Sequence, residues 1–174
     1  MDGMQENIKL FVSSPCKVLD VGSRKVYRKH GIYKTLFTDA DEYVGLDLVA
    51  GDNVDVVIED PYVYPFEDGT FDAILCGQVV EHCKNPFKLM AECSRVLKPG
   101  GVFIGSAPFI WKEHKHPRDC WRILPDGWKV LFEESGLDHL RSYYDPDAPR
   151  NVLITFTQVT CFGIARKPGG SNGA

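Results

Sequence analysis

Short apolar runs alternate with polar and turn-forming residues along most of this chain. The runs predict strands over residues 17–21, 43–48, 54–58, 71–76 and 101–106, and two later strands over residues 137–144 and 151–165. Asn85 and Pro86 mark the start of a helix that Pro99 stops, and a second helix is expected over residues 126–135. This alternation predicts an α/β fold around a largely parallel sheet.

Four polar residues stand where predicted strands end, namely Asp20, Asp47, Asp60 and Gln78. In an open parallel sheet these ends meet at one edge, and ligands bind along that edge. Three of them also have a local explanation, because Asp20 and Asp60 are suited to turns and Gln78 can cap the next helix. Their recurrence at consecutive strand ends favours a shared ligand.

Asp47 carries the most specific of these indications. It follows the glycine turn at Gly22 by the distance at which nucleoside-binding sheets place a carboxylate that accepts hydrogen bonds from both ribose hydroxyls. An NAD-dependent dehydrogenase would share this arrangement. It is disfavoured because the chain lacks the Gly-x-Gly-x-x-Gly turn.

Length and composition narrow the class of protein. The 174 residues fit one domain, which we expect over residues 1–167, with a disordered tail over residues 168–174. A net charge of −4 argues against a nucleic-acid partner, and no apolar run is long enough for a membrane span. The six cysteines form no Cys-x-x-Cys pair, which favours reduced, packed thiols in a cytoplasmic protein over a disulfide framework.

Several successive motifs resemble those of class I S-adenosylmethionine-dependent methyltransferases, most closely the small type 11 branch. The residues that carry the resemblance are Val18-Leu19-Asp20-Val21-Gly22, Val44-Gly45-Leu46-Asp47, Tyr64-Pro65-Phe66 before Phe71-Asp72, Glu81-His82, and Arg95-Val96-Leu97-Lys98-Pro99-Gly100-Gly101. The resemblance implies a Rossmann-like sheet of seven strands in the order 3-2-1-4-5-7-6, with strand 7 antiparallel and helices on both faces. It also implies S-adenosylmethionine as the cofactor.

The resemblance also implies roles for individual residues. They are Asp20 and Gly22 at the methionine half of the cofactor, Asp47 at the ribose, Leu48 against adenine, Asp60, Pro61 and Tyr62 around the adenine amino group, and Gly77 and Gln78 under the sulfonium. These roles suit the residue types, because carboxylates accept hydrogen bonds from hydroxyl and amino groups.

The first loop departs from the family pattern. The family usually has Gly-x-Gly-x-Gly, whereas this chain has Gly22-Ser23-Arg24-Lys25-Val26, so Ser23 and Arg24 must approach the cofactor without glycine's freedom. Arg24 either pairs with the methionine carboxylate or points to solvent. For the basic segment over residues 24–34, a solvated helix face is favoured over an anion site.

A long polar and aromatic loop over residues 108–125 resembles a subgroup of bacterial methyltransferases associated with glycans and cell surfaces. Its motif is Glu113-His114-Lys115-His116-Pro117-Arg118-Asp119-Cys120-Trp121-Arg122. His114 and His82 are the candidate catalytic residues, because an imidazole can take a proton near neutral pH. The alternatives are a cap role for His82 and a structural loop pinned by an Asp119–Arg122 pair with Trp121 as a hydrophobic plug.

No metal site is predicted. His114, His116 and Cys120 lack a fourth ligand and the spacing of a zinc site. The sequence therefore predicts a methyltransferase for a small-molecule acceptor, by O- or N-methylation and with sugar-like acceptors in view. The alternative is a non-catalytic S-adenosylmethionine-binding subunit of a larger complex. A homodimer is expected from the short N-terminal segment, which would leave the site to be completed by a second chain.

Overall fold

The structure is a computed structural model, and it describes residues 3–25, 33–39, 41–145 and 158–169. Its elements in chain order are α1 (Gly3–Phe11), β1 (Lys17–Val21), β2 (Glu42–Asp47), β3 (Val56–Val57), β4 (Phe71–Gly77), α2 (Pro86–Val96), β5 (Leu97–Ile110), α3 (Pro125–Glu134), β6 (Asp138–Tyr144) and β7 (Val159–Arg166). Two short 3-10 helices, Tyr33–Leu36 and Val80–His82, precede β2 and α2.

One sheet of seven strands organises the fold, in the order β3-β2-β1-β4-β5-β7-β6. The pairs from β3 to β5 are parallel, whereas β7 runs antiparallel to both β5 and β6. The predicted fold class and strand order are therefore confirmed. β1 lies between β2 and β4, so the carboxyl ends of all three strands meet at one edge.

The two faces of the sheet form two cores because successive strand side chains point in opposite directions. Leu19, Ile74 and Phe103 pack on the face that α2 and α3 cover, together with Trp128 and Phe132. Their neighbours Val18, Leu75 and Ile104 pack on the other face, where Met4 and Ile8 of α1 complete the core. Strands buried on both faces explain why these runs read as continuously apolar.

Three strands differ from the predicted ones by more than one residue at an end. β5 was expected over residues 101–106 but runs from Leu97 to Ile110, because β4 pairs with it from Leu97 and the antiparallel β7 pairs with it as far as Ile110. β3 contains only Val56–Val57, since its pairing with the end of β2 involves two residues. The last strand begins at Val159, and the first part of its predicted range, residues 151–157, lies outside the described residues, as do most of the basic segment and residues 170–174.

All six cysteines are unpaired, and five of them are buried. Within the described part of the chain, no helix combines the length and the apolar character that crossing a membrane requires.

The start of α2 is fixed by the predicted cap. The Asn85 side chain accepts a hydrogen bond of 3.1 Å from the Lys88 amide, and Pro86 occupies the first turn. We expect Asn85→Ala to lower the free energy of unfolding by about 1 kcal/mol, as loss of an N-cap acceptor usually does. Urea unfolding measures this. Asn85→Asp keeps the acceptor and should stay near wild type, and an equal loss in both variants would contradict the capping role.

Candidate active site

A large cleft of about 1670 Å³ opens at the carboxyl ends of β1, β2 and β4. The cleft collects every candidate site residue of the sequence analysis, which are Asp20, Gly22, Ser23, Arg24, Asp47, Leu48, Asp60, Pro61, Tyr62, Gly77, Gln78, His82 and His114. The 3-10 helix after β4 and the loop after β5 bring the two histidines to the same cleft as the strand ends.

The turn after β1 is built around Gly22, whose φ is +73°. Its amide donates to the Leu46 carbonyl at 2.8 Å, and a Cβ at this position would lie 2.2 Å from Cγ2 of Val79. Only glycine meets both demands, because it adopts positive φ without strain and leaves room for the neighbouring segment. One glycine therefore suffices to form this turn.

Ser23 is held in place by hydrogen bonds to Asn53 in the loop after β2. It is buried, its hydroxyl donates to the Asn53 carbonyl at 2.7 Å, and its own carbonyl accepts from the Asn53 side chain at 2.9 Å. Asn53 itself has a φ of +70°. These bonds tie the loop after β1 to the loop after β2 by hydroxyl and amide groups.

Arg24 does not point fully into solvent. Its Nε is buried and has no hydrogen-bond partner among the described residues, and its aliphatic carbons lie against Gly51. Its backbone amide donates to Oδ2 of Asp47 at 3.2 Å. The guanidinium therefore stays at the cleft wall, where a buried donor without a partner is costly unless an acceptor arrives.

Asp47 ends β2 and is half-buried at the cleft. Its two carboxylate oxygens accept one backbone amide each, from Arg24 at 3.2 Å and from Val49 at 3.0 Å. Each oxygen has a second lone pair, so the carboxylate can still accept from a ligand. Leu48 follows directly and is exposed, so its apolar side chain can pack against an aromatic ring of a ligand.

Asp60 and Tyr62 form the far wall of the same part of the cleft. Asp60 is exposed and accepts from the Tyr62 amide at 2.9 Å, which is the local turn role considered above. The Tyr62 hydroxyl accepts from the Asn85 amide at 2.9 Å and thereby fixes the ring. The turn bond uses one oxygen of Asp60 and leaves the other for a ligand.

Gly77 and Gln78 end β4 in a tight arrangement. A Cβ on Gly77 would lie 2.8 Å from the Tyr33 hydroxyl, so only glycine admits that ring. Gln78 has a φ of +57°, and its side chain donates to the Ser106 hydroxyl at 3.3 Å and accepts from Gln158 at 2.7 Å. Non-glycine residues in this backbone region are uncommon and concentrate at functional sites.

Asp20 is almost fully buried under this edge of the sheet. The Tyr43 hydroxyl and the Asn53 amide both donate to its Oδ2, the latter at 3.4 Å. Burial raises the pKa of Asp20 to about 7, although these hydrogen bonds favour the ionised form. The Asp20 carboxyl is therefore partly protonated near neutral pH.

The raised pKa of Asp20 makes stability depend on pH. The unfolded chain ionises this carboxyl near its ordinary value of 3.8, whereas the folded chain holds the proton to about pH 7, so its contribution to stability is lost as pH rises between these values. Asp20→Asn mimics the protonated form, and we expect it to gain about 2 kcal/mol relative to wild type between pH 5 and 7. Chemical unfolding at each pH measures the difference. Asp52→Asn, which is exposed, should show no such trend, and a constant Asp20→Asn difference would contradict the buried acid.

The histidines form a compact cluster on the opposite wall. The His82 ring lies 5.0 Å from the ring of His114 and 5.9 Å from that of His116, centroid to centroid. Nδ1 of His82 is hydrogen-bonded to the Arg118 carbonyl, which can only accept, so Nδ1 carries the proton and Nε2 keeps its lone pair. Burial lowers the pKa of His82, which keeps the ring neutral at physiological pH.

The loop that carries His114 is pinned as the sequence alternative describes. Arg122 donates to both oxygens of Asp119, at 2.5 and 2.7 Å, and this pairing holds the pKa of Asp119 well below its ordinary value. The Trp121 indole donates to the Cys83 carbonyl at 2.7 Å, but the residue is 41% exposed and is not a fully buried plug. Asp119 also accepts from the His114 amide at 2.8 Å, so the same pair positions this histidine.

Comparison with known proteins agrees with this geometry. A family model described as a methyltransferase domain matches residues 25–105. The structure is similar to that of the 1,6-didemethyltoxoflavin N1-methyltransferase of Burkholderia thailandensis, with a TM-score of 0.73 and 15% identity over 96% of this chain and 77% of that one. It is also similar to a SAM-dependent methyltransferase from Methanosarcina mazei, with a TM-score of 0.69 and 14% identity over 93% of this chain and 97% of that one. Residues 25–105 of the chain therefore resemble a methyltransferase domain.

Curated relatives match smaller parts of the chain than these solved structures do. A human thiol S-methyltransferase is 33% identical over 66 residues, which are 38% of this chain and 24% of the relative. The ubiquinone biosynthesis O-methyltransferase of Maricaulis maris is 28% identical over 125 residues, 60% of this chain and 49% of the relative. The chain thus spans less than half the length of these two proteins. The predicted cofactor class, S-adenosylmethionine, fits the domain, while the narrower loop subgroup stays a prediction.

Sequence reasoning passed over one residue of this site. Glu81 was noted only as part of a motif, yet it is completely buried beside His82, and its Oε1 lies 3.7 Å from Nε2 of His82. Its position after the apolar pair Val79-Val80 was the available signal for burial. What spacing could not show is that the loop over residues 111–122 folds back onto Glu81.

Proposed function

We propose that the protein is an S-adenosylmethionine-dependent methyltransferase that acts on a small-molecule acceptor through a hydroxyl or amine group. The observation that carries the proposal is that one cleft joins the strand-end residues to the histidine cluster. A methyl donor and an acceptor can therefore lie side by side, and positioning of two reactants supplies much of the catalysis in such transfers.

The donor would lie along the strand ends. Asp47 would accept hydrogen bonds from the ribose hydroxyls, and Leu48, Asp60, Pro61 and Tyr62 would surround the adenine. The turn at Gly22 and Ser23 would face the methionine half. The buried guanidinium nitrogen of Arg24 supports a contact with the methionine carboxylate, because a ligand oxygen would satisfy it.

The acceptor would lie between the donor's sulfonium, near Gly77 and Gln78, and the histidine cluster. The acceptor heteroatom attacks the methyl carbon, the bond from that carbon to sulfur breaks, and S-adenosylhomocysteine is released with the methylated acceptor. The acceptor's proton leaves through the cluster. Neutral His82 supports this step because its Nε2 lone pair is available.

A small acceptor is supported by the loop that lines the histidine end of the cleft. This loop over residues 111–122 is held in place because its backbone amides at Cys120 and Trp121 donate to the Glu81 carbonyl at 2.7 and 3.3 Å. Relatives named as a thiol S-methyltransferase and a ubiquinone biosynthesis O-methyltransferase agree with this size class. Because the loop motif resembles a glycan-associated subgroup, sugar-like polyhydroxy compounds belong in any acceptor panel.

Calorimetry followed by turnover assays tests the proposal. We expect S-adenosylhomocysteine to bind with a stoichiometry of about one, and a panel of hydroxyl and amine compounds, sugars included, to yield a methylated product. His82→Gln and His114→Gln should lower turnover at least about 10-fold with little change in donor affinity, since general acid–base groups contribute about 100-fold or more. No donor binding would overturn the proposal. Donor binding without turnover across the panel would favour a non-catalytic binding subunit instead.

A further inference from the structure

Glu81 is a buried carboxylate with no hydrogen-bond partner for either side-chain oxygen among the described residues. Its backbone is firmly held, because its carbonyl accepts from the Cys120 and Trp121 amides. A carboxylate buried in this way is strongly disfavoured unless a cation or a proton compensates it. The Glu81 carboxylate therefore needs a cation or a proton to compensate its burial.

Two imidazoles reach the same point as this carboxylate. Glu81, His82 and His114 each offer one ligand atom, and the three atoms lie within 4.8 Å of one another. First-row divalent ions bind imidazole nitrogen and carboxylate oxygen at about 2.0–2.2 Å, which places neighbouring ligand atoms about 3–4 Å apart. The separation of 3.7 Å between Nε2 of His82 and Oε1 of Glu81 falls in that range.

The outer partners of both histidines are those that metal ligands have. A ligating histidine usually gives its other ring nitrogen to a carbonyl or carboxylate, which fixes the ring. Nδ1 of His82 is bonded to the Arg118 carbonyl, and Nδ1 of His114 lies 3.3 Å from Oδ2 of Asp119. Arg122 in turn holds Asp119 through two hydrogen bonds. Both rings are thus oriented through Nδ1, which leaves Nε2 for a ligand.

We infer that Glu81, His82 and His114 bind a divalent first-row transition-metal ion at the acceptor end of the cleft. Two imidazoles and one carboxylate are a ligand set of catalytic zinc sites and of non-haem iron sites, in which other positions stay open. Because His82 and His114 line the cleft, an open position would face the acceptor. Ion binding itself does not rest on the proposed methyl transfer, so the two can fail separately.

If the protein transfers a methyl group as proposed above, the bound ion would also have a role in that reaction. An acceptor hydroxyl bound at the open position would lose its proton to solvent more readily, because coordination lowers its pKa. His82 and His114 would then hold the ion rather than take the proton themselves. No metal was predicted here from the sequence, because the set considered, His114, His116 and Cys120, lacks a fourth ligand and the spacing of a zinc site.

Metal titration of the full chain tests the inference without any activity assay. Protein stripped with a chelator is titrated with Zn²⁺ in competition with a chelating dye, and with Co²⁺ while its visible ligand-field bands are recorded. We expect one tightly bound ion per chain. Glu81→Gln and His114→Gln should each weaken binding at least about 10-fold, because a lost ligand costs no less than a lost outer partner.

Two matched variants serve as controls. Glu113→Gln changes an exposed glutamate of the same loop, and His139→Gln changes a histidine that is bonded to Ser142, outside the cleft. Both should bind the ion as wild type does. Far-UV circular dichroism and donor affinity confirm that the ligand variants remain folded. Wild-type binding no tighter than that of Glu81→Gln would overturn the inference and leave a proton as the partner of Glu81.

Discussion

Replacing Asp47 by alanine is expected to weaken the binding of S-adenosylhomocysteine about 100-fold. The carboxylate lies at the end of β2 with both oxygens at the cleft edge, and each oxygen can take a ribose hydroxyl beside its backbone amide. A hydrogen bond to a charged group contributes about 1.5–3 kcal/mol, and about 2.7 kcal/mol corresponds to a 100-fold change in Kd. Titration calorimetry measures this loss.

Two companion variants separate ligand contact from loop structure. Asp47→Asn keeps a side-chain oxygen of the same size but removes the charge, so we expect an intermediate loss of affinity. Asp52→Ala removes an exposed carboxylate five positions further on, outside the cleft lining, and should bind the ligand as wild type does. Unchanged affinity in Asp47→Ala would contradict the placement of the ribose.

Gly22→Ala is expected to lower the free energy of unfolding by about 4 kcal/mol. Two costs combine, because alanine is strained at a φ of +73° and its Cβ would lie 2.2 Å from Cγ2 of Val79. Backbone strain of this kind costs about 1–3 kcal/mol, and overpacking costs about the same again. Urea unfolding of the variant gives the sum.

Gly100→Ala isolates the backbone part of this cost. Gly100 has a φ of +80°, but a Cβ there meets no atom of the described residues within 4 Å, so only strain remains and we expect about 1–2 kcal/mol. Val79→Ala removes the contact at Gly22, so Gly22→Ala should lower the free energy of unfolding less in the Val79→Ala background than in wild type. Equal losses in Gly22→Ala and Gly100→Ala would contradict the close packing of the turn on Val79.

The strands of the sheet could be predicted because each is marked by an apolar run in its own short stretch of sequence. Val18–Val21 and the apolar residues of β4 are buried on both faces, so their continuous hydrophobicity identifies them without any neighbour. The ends of these strands then bring Asp20, Asp47 and Gln78 to one edge, as parallel topology requires. The extent of β5 was missed because it depends on pairing with β7, which lies about 55 residues later.

The histidine cluster and the groups around it could be predicted only in part. His82 and His114 were found by the chemistry of imidazole, and the Asp119–Arg122 pair was given as the structural alternative for the loop. Glu81 was missed as a site residue because nothing in the sequence tells which way a loop of this length folds back. Tyr43 of β2 and Asn53 of the following loop, which both donate to Asp20, were missed because side-chain contacts between neighbouring segments are not visible in the sequence. Contacts between loops are set by the tertiary structure rather than by sequence pattern.

A crystal structure with bound S-adenosylhomocysteine would show whether the cleft at the strand ends holds the methyl donor. We expect the ribose hydroxyls on the carboxylate of Asp47, the adenine between Leu48 and Tyr62, and the sulfur near Gly77, facing His82. Electron density for the nucleoside anywhere other than the cleft at the ends of β1, β2 and β4, or a sulfur turned away from the histidine cluster, would contradict it.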